Sequence, residues 1–100
     1  MNLNKEITLR LDNIKHTLHA LEEGTFDNIN AEQIEKALRL GFEVIEEYPD
    51  DPRGSSCLVL SSISDKPVHI VCAPHEDALI IITTYIPDNN KWINNYKKRK

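Results

Sequence analysis

Tyr48-Pro49-Asp50-Asp51-Pro52-Arg53-Gly54-Ser55-Ser56-Cys57 is an acidic, proline-rich turn set between two apolar runs. Proline fixes φ and glycine tolerates positive φ, so the segment follows a defined path and presents Arg53 at its end. On its N-terminal side lies a strand candidate over 42–48. On its C-terminal side lie three more, over 55–63, 67–73 and 78–86. Val44, Ile45, Leu58, Val59, Leu60, Val68, Ile70, Val71 and Ile80 to Ile82 supply the β-propensity. Ser64-Asp65-Lys66-Pro67 and Pro74 to Asp77 make short links between them. Short links favour antiparallel neighbours, because parallel strands need long crossovers. The spacing therefore predicts a four-stranded antiparallel meander.

Helices precede the strands. Ile7, Leu11, Ile14, Leu18 and Leu21 recur at four- and three-residue steps, which predicts one amphipathic helix over 4–22 with Gly24 as its stop. Asn30 with Gln33 forms a capping-box pattern, and Ile29 with Ile34 a hydrophobic staple. Ile34, Ala37 and Leu38 line this second helix, and Gly41 ends it. The expected fold is α+β: two N-terminal helices packed on one face of a four-stranded antiparallel sheet. The second face is open to solvent or to another copy. Residues 1–90 form the domain. Residues 91–100 form a basic C-terminal tail with Trp92 and Tyr96 as anchors.

The chain has 100 residues, enough for one domain with a modest core. Its net charge of −4 is unevenly placed. Residues 1–90 carry seven basic and sixteen acidic side chains, a balance of −9, whereas residues 91–100 carry five basic and no acidic ones. An acidic body disfavours general adhesion to nucleic acid. The basic end suits phosphate, an acidic partner or the body itself. Cys57 and Cys72 lie in strand runs and read as buried free thiols, with a disulfide as the alternative. No apolar stretch approaches 18 residues and the N-terminus has no apolar leader pattern, so a cytoplasmic chain without a membrane span is expected.

A set of short motifs resembles one family. His19-Ala20, Glu35-Lys36-Ala37-Leu38, the run Gly41 to Tyr48, Pro49-Asp50-Asp51-Pro52-Arg53-Gly54, Ser56-Cys57-Leu58-Val59-Leu60, Pro67-Val68-His69-Ile70-Val71-Cys72 and Tyr85-Ile86-Pro87-Asp88 with Lys91-Trp92 are together similar to the small bacterial DUF4258 domains. The resemblance implies the wider RelE-like toxin superfamily, in which the domain is the toxin half of a toxin–antitoxin pair. The implied partner is an antitoxin carrying a small zinc-binding module, and the implied activity is RNA cleavage without a metal. One departure is plain. Where the family carries arginines four and eight residues after the motif histidine, this chain has Glu23 and Asp27. Both place negative charge where a phosphate would sit.

Metal-free RNA cleavage needs a base at the 2′-OH, a proton donor at the leaving oxygen and a cation for the phosphorane. Histidine suits either proton role near neutral pH. His19 holds the motif position; its plain alternative is a hydrogen-bonded histidine at a helix–sheet seam. His69 lies in the third strand candidate, and points away from Val68 and Ile70 if these face the core. His75 reads as a turn residue. His16 and His19 have metal-ligand spacing but no evident third ligand, so no metal is expected. Arg53 is the best phosphate fork. Tyr85 orients a phosphate or closes a core seam. Trp92 stacks on a base or docks the tail, and Lys97, Lys98, Arg99 and Lys100 hold RNA backbone or stay solvated. The expectation is thus a metal-independent endoribonuclease toxin acting on mRNA, at the ribosome, with His19, Arg53, His69 and Tyr85 as its catalytic set. The alternatives are a noncatalytic, partner-binding degenerate toxin and a homodimeric domain.

Overall fold

The computed structural model describes residues 2–52 and 54–100. In chain order the elements are α1 (Leu3–Thr8), β1 (Ile14–His16), α2 (Leu18–Phe26), α3 (Ala31–Leu40), β2 (Glu43–Tyr48), β3 (Ser56–Ile63), β4 (Lys66–His75), β5 (Ala78–Tyr85), β6 (Trp92–Ile93) and β7 (Lys98–Arg99). The main sheet has five strands in the order β1-β5-β4-β3-β2. β2 to β5 form the antiparallel meander, with Cys57 opposite Cys72 and His69 opposite Tyr85. Ser64 and Asp65 both take positive φ, the geometry that turns a two-residue hairpin between β3 and β4.

Two expectations are corrected here. The sheet is mixed and five-stranded, and not the four-stranded antiparallel sheet of a RelE-like arrangement. The helix expected over 4–22 is three elements. α1 ends at Thr8, β1 pairs in parallel with Leu79 to Ile81 of β5, and α2 starts afresh. The physical reason is the unpaired edge of β5. Leu79 donates its N–H to the Asn13 carbonyl at 2.9 Å, and Thr17 N–H donates to the Ile81 carbonyl at 3.0 Å. A continued helix would leave those β5 groups unmet. Thr17 then caps α2, its hydroxyl accepting from Ala20 N–H at 3.0 Å.

The second predicted helix is present as α3, with both bonds of the Asn30–Gln33 capping box at 2.9 Å. Ile34, Ala37 and Leu38 are buried. At its C-terminus the Ala37 carbonyl accepts the Gly41 N–H at 3.0 Å, and the single Ser61 hydroxyl proton of β3 lies within reach of the Gly41 oxygen at 2.6 Å and the Ala37 oxygen at 3.1 Å.

α1, α2 and α3 pack on β4, β5 and β3 respectively, all on one face. Ile7, Ile34, Leu38, Val59, Val68, Ile70, Leu79 and Ile81 close the core there. Cys57 and Cys72 are free thiols within it, their sulfurs 3.9 Å apart. Among the described residues, no helix is long and apolar enough to cross a membrane.

α2 approaches its neighbours through small residues. A Cβ on Gly24 would stand 2.5 Å from the Ile29 carbonyl oxygen, a backbone atom. Helix propensity alone favours alanine over glycine by about 1 kcal/mol. The close approach reverses that sign, so Gly24→Ala should lose about 1–3 kcal/mol in urea unfolding. A variant as stable as the parent would show that α2 can move off the Ile29 turn.

Candidate functional site

The strand alternation that sends Val68 and Ile70 into the helix-covered core sends His69 to the opposite face. Leu60 and Tyr85 flank it on β3 and β5. The β6–β7 hairpin folds over this face. The Trp92 ring meets the imidazole edge-on with centroids 4.4 Å apart, and the Tyr85 ring meets it at 5.2 Å. His69 is 0% exposed.

The hydrogen bonds fix the state of the ring. The Tyr96 carbonyl lies 2.8 Å from Nε2 and can only accept, so Nε2 carries a proton. The Tyr85 hydroxyl lies 3.1 Å from Nδ1. In the neutral ring Nδ1 accepts, and Tyr85 donates. Burial moves the His69 pKa below its ordinary value, against the smaller pull of the Tyr96 carbonyl and Glu46. Burial likewise pushes the Tyr85 phenol up. Tyr96 itself sits at φ 67°, an unusual conformation for a bulky residue. Its carbonyl bond to His69 helps hold that turn in place.

A charged layer closes over the rings. The Arg99 guanidinium lies 4.6 Å from the Trp92 centroid and binds Glu46 through two nitrogens, at 2.8 and 3.1 Å. Tyr48 donates its phenolic proton to the same carboxylate. The Arg99 bond draws the Glu46 pKa down, whereas burial and the Glu46 bond push Tyr48 up to about 12. Lys97 pairs with Glu43 at 3.0 Å. The basic end of the chain is thus laid along the acidic strand β2.

Of the residues singled out from sequence, His69, Tyr85, Trp92 and Arg99 come together. His19 does not join them. It stands on α2, whose Ala20 is in the helix-side core, and its side chain is 60% exposed and 3.9 Å from Glu23. Arg53 lies outside the described residues. Lys98 and Lys100 are exposed. His16 pairs with Glu35 at 2.9 Å across β1 and α3. Among the described residues no three His, Cys, Asp or Glu side chains gather as metal ligands do. Glu46 and Tyr48 were missed by sequence reasoning. Their two-residue spacing in a strand puts them on one face, which was the available signal. An open groove of about 570 Å³ is lined by Leu40, Phe42, Glu43, Leu60, Ser61 and Tyr96 among others, and His69, Tyr85, Trp92 and Arg99 are not in its wall.

The family model described as Domain of unknown function (DUF4258) matches residues 16–86, more than half of the chain. The chain belongs to the DUF4258 family. The DUF4258 match starts at the last residue of β1 and takes in α2 to β5, with His69, Tyr85, Glu46 and Tyr48, and ends before the hairpin that supplies Trp92, Tyr96 and Arg99. No curated protein and no solved structure matches the chain.

The neutral, buried His69 has a pH signature. Its unfolded-state pKa is near 6.5 and its folded value is lower. As pH falls through 6.5 the unfolded chain takes up the proton first, so native stability declines until the folded pKa is reached. Urea unfolding at about pH 7.5 and about pH 5.5 should show a loss in the parent that is smaller in His69→Gln. An equal loss in both would place the titrating group elsewhere.

Proposed function

We propose that this chain is a noncatalytic, partner-binding member of its family, a degenerate toxin that holds a cognate protein and does not cut RNA. The carrying observation is that His69 is sealed from solvent with both ring nitrogens engaged. A general base or acid must reach the proton it moves. The nearby cation is equally occupied, since Arg99 is held bidentate by Glu46. Glu23 and Asp27, at the positions where the resemblance expects arginines, add to this. Asp27 instead accepts the Ile86 N–H at 3.3 Å. The partner in this reading is an antitoxin-like protein, which the resemblance supplies with a zinc-binding module. The setting is the cytoplasm, where Cys57 and Cys72 stay reduced.

A second reading keeps the metal-independent endoribonuclease acting on mRNA. It is favoured by the gathering of an imidazole, two phenols, a carboxylate and a guanidinium on one face. It requires the hairpin to lift and expose them. Incubation with mixed RNAs, followed by mapping of 2′,3′-cyclic phosphate ends, separates the two. The expected result is intact RNA with the parent, Arg53→Ala and Arg99→Ala proteins alike. Cyclic phosphate ends that form with the parent and vanish in His69→Ala and Tyr85→Phe would overturn the noncatalytic reading.

A further inference from the structure

α2 is an inverted helix. Its buried residues are its small ones, Ala20 and Gly24, whereas its largest apolar side chains face outward. Leu18 is 71%, Leu21 43% and Phe26 82% exposed. Leu18, Glu22 and Phe26 follow the four-residue ridge of the helix, and Leu21 flanks it. Folding of the domain gains little from exposing these three side chains together, and such clusters mark contact surfaces.

The charge around the ridge selects the occupant. Residues 18–27, which are α2 and its C-cap, hold three carboxylates and no lysine or arginine. Glu22 stands on the ridge between Leu18 and Phe26, Glu23 lies beside it 3.9 Å from His19, and Asp27 caps the end of the helix. A ridge of this shape accepts the groove of another helix. Its electrostatic complement is a helix with leucine-type residues on one face and lysine or arginine beside them. We propose that the outer face of α2, from Leu18 to Phe26, docks a basic amphipathic helix of a partner protein. This site rests on the partner-binding reading and gives that partner its chemistry. A second copy of this chain is a poor occupant, because two such faces would bring like carboxylates together.

The test uses the full chain with a synthetic amphipathic leucine/lysine helix as probe, and a leucine/glutamate helix of the same pattern as control. Titration calorimetry should show the lysine peptide binding, more weakly as salt is raised, and the glutamate peptide not binding. Leu18→Ser with Phe26→Ser should weaken binding at least about tenfold. Glu22→Lys with Glu23→Lys should also weaken it. These side chains are exposed, so circular dichroism should show both variants folded. Undiminished affinity in both variants, or no binding by the parent, overturns the α2 site. A parent dimer in sedimentation that Leu18→Ser with Phe26→Ser converts to monomer also overturns it, since the occupant is then a second copy. RNA cleavage by the parent would instead remove the noncatalytic reading, so the two failures are distinct.

Discussion

A histidine with no solvent contact holds the second face of the sheet together. His69 spends one nitrogen on the Tyr85 hydroxyl and the other on the Tyr96 carbonyl, with Trp92 edge-on against the ring. Burying an imidazole without partners costs several kcal/mol at about the upper end of polar-group transfer values. With partners at both nitrogens that cost is offset, and no buried side-chain nitrogen or oxygen among the described residues lacks one. The hairpin therefore has a fixed seat. Its short strands, two residues each, could not hold it alone.

Electrostatics reinforces the seat at its rim. The acidic body and the basic end attract, and the attraction is realised as Arg99 on Glu46 and Lys97 on Glu43. The Lys97 pair is exposed and adds little to stability. The Arg99 fork, stacked over Trp92, gives orientation more than energy. The same pairing takes these two cations away from any phosphate. On the helix-covered side, α2 and its C-cap carry Glu22, Glu23 and Asp27 with no lysine or arginine of their own. Two surfaces of one small domain thus differ in kind: one closed by its own basic segment, the other acidic, apolar and uncovered.

Much of this was legible in the sequence, and the failures have identifiable causes. The meander could be read because the apolar β-branched runs were separated by short turns. α3 could be read because its cap, staple and apolar stripe agreed. The alternation at Val68-His69-Ile70 gave the orientation of His69, and Trp92 was a foreseeable anchor. The start of the chain misled because Ile7, Leu11, Ile14, Leu18 and Leu21 satisfy a helical period, whereas the deciding element was the free edge of β5, some 65 residues further on. Thr17 looked like an interior residue and is a cap. Within the site, the Arg99–Glu46 pair spans 53 positions and has no local signature. The Tyr96 contact is made by a backbone carbonyl, which residue identity does not reveal.

The state of the His69 ring is the most direct test of the sealed second face. Nitrogen NMR of the side chain should show a neutral imidazole with the proton on Nε2, in slow exchange with water, persisting as the pH falls through 6.5. A ring that titrates at the ordinary value and exchanges its proton freely would mean that the hairpin does not close over it, and the account of this face would be wrong.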